Sequence, residues 1–288
     1  MKRSPRRKKQ ALLLPFILVT LIIIFAFGFL QSQIKITQDH ATSNLQKNYD
    51  QFVNLLEIEK RRLTPLKLPI LLYHYIEIVT NLRDTIRQSL NINPQIFESQ
   101  INTLLTHGYQ PIVMSDLIDY FDGKKALPSK PIIFTFDDGY RDFYTDVLPI
   151  LKKYHIKVML YVSTGLVDST RNYLTQPQLK EVIASGLVEI GAHSVTHSNL
   201  RYLNLAVAKT EILESKQELE KLTGQKVKHF AFPYGDYSSD LILELGKAGF
   251  DTAVTVDPGT TQTYAERFSL KRIRPGRTTD TVLLKLIE

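Results

Sequence analysis

Cysteine and tryptophan are both absent from the 288 residues. Without cysteine the chain has no disulfide, no thiolate zinc site and no cysteine nucleophile, so any metal must be held through nitrogen and oxygen. That composition fits an oxidising extracytoplasmic space. Without tryptophan there is no indole face, and stacking on a flat ligand falls to tyrosine, of which there are 14. The chain also lacks an internal repeat, a low-complexity tract and a phosphate-binding glycine loop. Beyond its first ten residues it is short of net charge as well. The formal charge is +7, and Lys2, Arg3, Arg6, Arg7, Lys8 and Lys9 supply six of those charges. The remainder is nearly neutral, which excludes the basic face that a nucleic-acid partner requires.

What is present begins with an uncharged run from Ala11 to Leu30. At about 1.5 Å per residue, a helix of that length crosses a hydrocarbon core of about 30 Å. The basic residues before it favour retention in the cytoplasm and export of everything after Gln31. A cleaved signal peptide shares the basic start and apolar middle, but the run is long and no small-residue cleavage pattern follows Leu30. The expected organisation is therefore a basic cytoplasmic segment (1–10), a single-pass membrane anchor (11–30), a helical stalk or linker (31–65) and an extracytoplasmic domain (66–288). Leu45, Tyr49, Phe52, Leu56 and Leu63 fall at heptad-like intervals along the stalk. A short helix packing on its own domain is one expectation, and a parallel homodimer through the stalk is the other. Thr64-Pro65 ends the helix, because proline disfavours helical geometry in the residue before it.

From residue 68 short apolar runs alternate with helical patterns. Strands are expected at Leu68–His74, Gln110–Val113, Pro131–Phe136, Ile156–Val162, Val188–His193, Lys228–Phe232, Phe250–Val256 and Leu270–Arg274. Helices are expected between them, at Pro94–His107, Asp142–Tyr154 and Leu205–Thr223. Continuously apolar strands separated by helices form parallel sheets covered on both faces, and about seven such units give a distorted α/β barrel. An open doubly wound sheet is the alternative. In either arrangement chemistry gathers at the carboxyl ends of the strands. His74, Asp137, Asp138, His193 and the Pro233-Tyr-Gly turn all follow such ends. Two imidazoles and a carboxylate can hold a divalent ion facially and leave positions for water and substrate.

Ile132 to Tyr140 (Ile-Ile-Phe-Thr-Phe-Asp-Asp-Gly-Tyr), His193 to His197 (His-Ser-Val-Thr-His) and Phe230 to Gly235 (Phe-Ala-Phe-Pro-Tyr-Gly) are similar, in order and spacing, to three signature motifs of the polysaccharide deacetylases. That family is also called NodB-homology or carbohydrate esterase family four. Ile70 to Tyr75 resembles the first strand of its poly-β-1,6-N-acetylglucosamine deacetylase branch. The resemblance, over residues 68 to 280, implies a metal site of Asp138, His193 and His197, with zinc expected. It implies Asp137 as general base, and the backbone N–H of Tyr234 as donor to the oxyanion. It implies a metal-dependent hydrolase that removes N-acetyl groups from an acetylated extracytoplasmic polysaccharide, such as poly-N-acetylglucosamine or peptidoglycan. The other function considered is a carbohydrate-binding or scaffold protein that keeps the fold with impaired turnover.

Three departures from the family pattern matter. The arginine that orients the base stands elsewhere, since the corresponding position is Ala231. Arg272 or Arg274 is expected to replace it, with Arg274 the residue assigned. The acidic residue of the fourth motif has no clear counterpart. The late histidine that serves as general acid is also missing, because no histidine follows His229. His74, at the end of the first strand, is the expected acid. Tyr140, Tyr161, Tyr234 and Tyr237 are candidates to stack on sugar rings. His40, His107, His155 and His229 read as structural.

Overall fold

The computed structural model describes residues 6–79, 81 and 83–288. Residues 1–5 of the expected basic segment, and the side chain of His40, lie outside the described residues. The chain divides into two units, Met1–Glu57 and Ile58–Glu288.

The first unit is helical. Helix α1 runs without a break over Arg6–Leu63. Among the described residues it is the one helix long and apolar enough to cross a membrane, judged by length and composition. Leu45, Tyr49, Phe52 and Leu56 are exposed along it.

The second unit starts earlier than residue 66, because the last turn of α1 is tied into it. Arg62 pairs with Asp122 at 2.9 Å and lies over the Tyr264 ring, and Arg61 donates to the Tyr120 carbonyl. Seven parallel strands follow: β1 (Ile70–Tyr73), β2 (Pro131–Phe136), β3 (Val158–Val162), β4 (Val188–Ala192), β5 (His229–Ala231), β6 (Thr252–Pro258) and β7 (Leu270–Arg272). Each pairs with the next in chain order. A parallel bridge between Leu71 and Ile273 brings β7 back to β1, so the barrel is nearly closed. The expected strand at 110–113 shrinks to Gln110–Pro111, which lies beside the start of β2.

Strand residues alternate between two apolar clusters. Ile132, Phe134 and Phe136 join the outer cluster beneath the helices, whereas Ile133, Met159, Tyr161, Ala231, Val254 and Leu270 fill the interior. Side chains two residues apart share a face, so the inward row of β2 continues from Ile133 through Thr135 to Asp137. The inward rows of β1, β4 and β7 lead likewise to His74, His193 and Arg272. Covering helices are cut to length by local signals. Asn93 caps α2 (Pro94–Thr106), with its side-chain oxygen accepting from the Gln95 N–H, and Gly224 in the left-handed region ends α3 (Leu205–Thr223).

Candidate active site

Asp138, His193 and His197 converge at the carboxyl rim of the barrel, their ligand atoms all within 4.8 Å of one another. The backbone bends sharply to bring them there. Among the described residues seven non-glycine positions have positive φ, and Asp138, Ser194, His197 and Tyr234 are four of them. Such conformations cost on the order of 1–3 kcal/mol each and persist where surrounding structure enforces them. Their clustering marks the rim as a built site.

The enforcing contacts are specific. His197 N–H donates to Ser194 Oγ at 3.0 Å. Glu211, on α3, accepts from the backbone N–H of Val195, the N–H of Thr196 and the Thr196 hydroxyl, each at 2.9 Å. One carboxylate thereby staples the whole loop between the two histidines. After the same turn on β5, Gly235 sits at φ +80°, where a Cβ would come within 2.4 Å of Val256 Cγ2. Only glycine fits beside Tyr234.

The donor set suits a divalent ion. His193 Nδ1 lies 2.7 Å from the Ala231 carbonyl. A carbonyl can only accept, so Nδ1 carries the proton and Nε2 presents a lone pair toward Asp138. The Nε2 atoms of His193 and His197 stand 3.2 and 3.0 Å from Asp138 Oδ1, yet Oδ1 is buried without a hydrogen-bond partner. The lone pair of His193 Nε2 thus faces the carboxylate, and a cation placed among the three ligand atoms would relieve that repulsion. Burial pushes the Asp138 carboxyl up, but the imidazoles of His193 and His197, when protonated, hold it well below the ordinary carboxylate range. The carboxylate form needed for ligation is secured.

Because Glu211 acts through the loop rather than on the reacting atoms, its loss should appear first in metal affinity. Glu211→Ala is expected to weaken the binding of a divalent ion at this donor set by about 10–100-fold, with Glu211→Gln intermediate because an amide oxygen keeps one acceptor. Titration of the chain against a chromophoric chelator measures this, and unchanged affinity in Glu211→Ala would refute it.

Asp137 and Arg272 form a second buried unit. The guanidinium donates to both carboxylate oxygens, Nη1 to Oδ1 at 2.8 Å and Nη2 to Oδ2 at 2.7 Å. It also donates to Thr135 Oγ1 at 3.0 Å and from Nε to the Thr255 carbonyl at 2.7 Å. Arg272 is 2% exposed and Asp137 3%. Burial raises the carboxyl pKa, but the Arg272 charge and its hydrogen bonds outweigh burial, and Asp137 lies below the ordinary carboxylate range.

The assignment of Arg274 is thereby corrected, since the arginine that holds Asp137 is Arg272. Strand β7 ends at Arg272, whose side chain enters the barrel, whereas Arg274 lies beyond the strand and is exposed. The guanidinium reaches the base from two strands further round the barrel than Ala231.

His74 follows β1 and lines a pocket beside the site together with Arg274. Burial lowers its pKa, and the nearby carboxylates of Asp137 and Asp138 oppose the shift without cancelling it. Tyr234 is 60% exposed, and its ring meets His197 edge-on at 4.9 Å. Of the other tyrosines proposed to stack on sugar, Tyr161 is ruled out. It is fully buried inside the barrel, packed where a Cβ on Gly191 would otherwise stand. Tyr140 is buried between the rings of Tyr75 and Tyr173, and Tyr237 stacks on Phe232. His107 and His155 sit at helix ends. His229 bonds Thr252 at the opposite end of the barrel, as a structural residue would.

The chain is similar to known polysaccharide deacetylases. The family model described as polysaccharide deacetylase matches residues 124–253. YxkH of Bacillus subtilis, described as a polysaccharide deacetylase, is 30% identical over 234 residues, covering 81% of this chain and 79% of its own. A Staphylococcus epidermidis protein named poly-β-1,6-N-acetyl-D-glucosamine N-deacetylase is 27% identical over 198 residues, covering 65% of this chain and 68% of its own. Among solved structures, the Streptococcus pyogenes deacetylase PplD in complex with acetate superposes with a TM-score of 0.72 at 30% identity. It covers 78% of this chain and 100% of its own.

Proposed function

The chain belongs to the polysaccharide deacetylase family, and we propose that it is a membrane-anchored, divalent-metal-dependent enzyme that removes N-acetyl groups from N-acetylglucosamine units of an extracytoplasmic polysaccharide. Poly-N-acetylglucosamine and peptidoglycan are the candidate polymers. The single observation that carries this reading is the juxtaposition of the orphaned Asp138–His193–His197 donor set with the Arg272-clamped carboxylate of Asp137. The anchor is the apolar part of α1, with residues 1–10 cytoplasmic and the catalytic domain outside.

Asp138, His193 and His197 would hold the ion, zinc being the expected one, which when bound supplies Lewis acidity to the hydrolysis. The remaining work belongs to side chains of this chain. Asp137, fixed by Arg272, takes a proton from the water that attacks the acetamide carbon. The strained turn at Tyr234 holds its N–H toward the oxyanion that forms. His74 gives a proton to the departing nitrogen as the C–N bond breaks, and the products are acetate and a free amine.

The test uses the full chain in detergent micelles, loaded with zinc and freed of excess. One equivalent of bound metal and release of acetate from N-acetylglucosamine oligomers are expected, with release lost on chelation and restored by zinc. Stoichiometric metal without acetate from any acetylated glycan would instead favour the binding or scaffold role.

A further inference from the structure

Of the pocket that His74 lines, the reaction just described uses only His74 itself. The pocket's volume is about 590 Å³, within the span of small-molecule sites. His74, Gln88, Asn91, Arg274, Gly276 and Arg277 line it. The two arginines flank Pro275-Gly276 in the segment after β7, and both are exposed.

Their neighbours show why they stand out. Arg272 is committed to Asp137, and Arg87 pairs with Glu77 at 3.0 Å while lying over the Tyr75 ring. Among the described residues no carboxylate lies within 4.0 Å of Arg274 or Arg277. Arg277 makes one long contact of 3.5 Å, to the Gln88 carbonyl. Two guanidinium groups on the lining of one pocket concentrate positive charge there, and an anion held in it would pair with that charge. Each fork also matches the oxygen pair of a carboxylate or phosphate. The pocket adjoins the reaction centre, for His74 lines it and lies near enough to Asp137, Asp138 and Arg274 for their charges to act on its ring.

We propose that this pocket is a subsite for an anionic substituent, a carboxylate or a phosphate, carried by the glycan unit next to the acetylated sugar. The proposal rests on the deacetylase reading and narrows it: the preferred polymer is negatively charged near the bond that is cut. A neutral polymer leaves both guanidinium groups without a partner.

Calorimetric titration of the zinc-loaded full chain carrying Asp137→Asn separates this claim from turnover, since the substitution slows acetate release and leaves binding to be read. Three probes suffice: neutral N-acetylglucosamine oligomers, oligomers in which N-acetylglucosamine alternates with a carboxylate-bearing sugar, and N-acetylglucosamine oligomers ending in a phosphate. At least one anionic probe is expected to bind about tenfold tighter than the neutral one, and whichever does so identifies the anion. That ratio should collapse toward unity in Arg274→Met/Arg277→Gln, with the thermal midpoint unchanged. Equal affinities for all three probes, or a ratio that survives the double substitution, would overturn the proposal while leaving acetate release intact as support for the deacetylase reading. Charge discrimination without acetate release from any probe by the native chain would uphold the subsite and overturn the deacetylase reading instead.

Discussion

Asp137→Asn is expected to lower acetate release by about 10²–10⁴-fold while the chain still binds one divalent ion through Asp138, His193 and His197. An amide cannot take the proton of the attacking water. It also turns a donor toward Arg272, which today spends Nη1 and Nη2 on the two carboxylate oxygens. Arginine does not deprotonate in proteins, so its charge would remain buried and uncompensated. Breaking a buried pair from one side costs about 3–5 kcal/mol. The variant should therefore lose stability as well as turnover.

A double-mutant cycle separates the two losses. Arg272→Met alone leaves Asp137 as a buried carboxyl without its cation, and burial then pushes its pKa up. In the native chain that pKa is depressed, so the pair stabilises the fold above the unfolded value and the gain is lost as pH falls through the folded one. In Arg272→Met the acid limb of kcat/KM should move to higher pH, because the base must lose its proton before it can act. The Asp137→Asn/Arg272→Met chain removes both charges and should recover most of the stability lost by either single variant, but none of the activity. Additive stability losses would show that the two residues do not act as one unit.

The sequence pattern reached the barrel and most of its rim because both rest on short-range rules. Strands that are apolar at all but one position, such as Pro131–Phe136, mark a sheet buried on both faces. Asp137, His193 and His74 stand where those strands end. Choosing Arg272 over Arg274 lay beyond such rules, since residues two apart share a face and periodicity treats them alike. Their difference is depth in the barrel, fixed by the bridge between Leu71 and Ile273, a contact across some 200 residues. Glu211 escaped notice for a related reason. A glutamate between Thr210 and Ile212 reads as a solvated helix position, and only tertiary packing brings it to the loop at Val195 and Thr196. Tyr161 misled in the opposite direction: in a strand buried on both faces, composition cannot say which tyrosine points into the barrel.

His74→Gln is expected to lower kcat by about 10²–10⁴-fold without loss of bound metal, because glutamine matches some of the bulk and polarity of imidazole but cannot carry its proton. Burial depresses the His74 pKa below the ordinary value of about 6.5. An acid must be protonated to donate, so native activity should fall as pH rises through that depressed pKa, and the variant should lack this limb. A purely structural His74 would produce a different pattern, a lower thermal midpoint with the limb retained. The adjoining pocket of about 590 Å³ offers a further discrimination, since it can admit free imidazole to the place the side chain vacates. Added imidazole should restore part of the lost turnover in His74→Gln and none in Asp137→Asn. Turnover that survives in His74→Gln with metal bound would remove His74 from the reaction and send the search for the acid to another group on the rim.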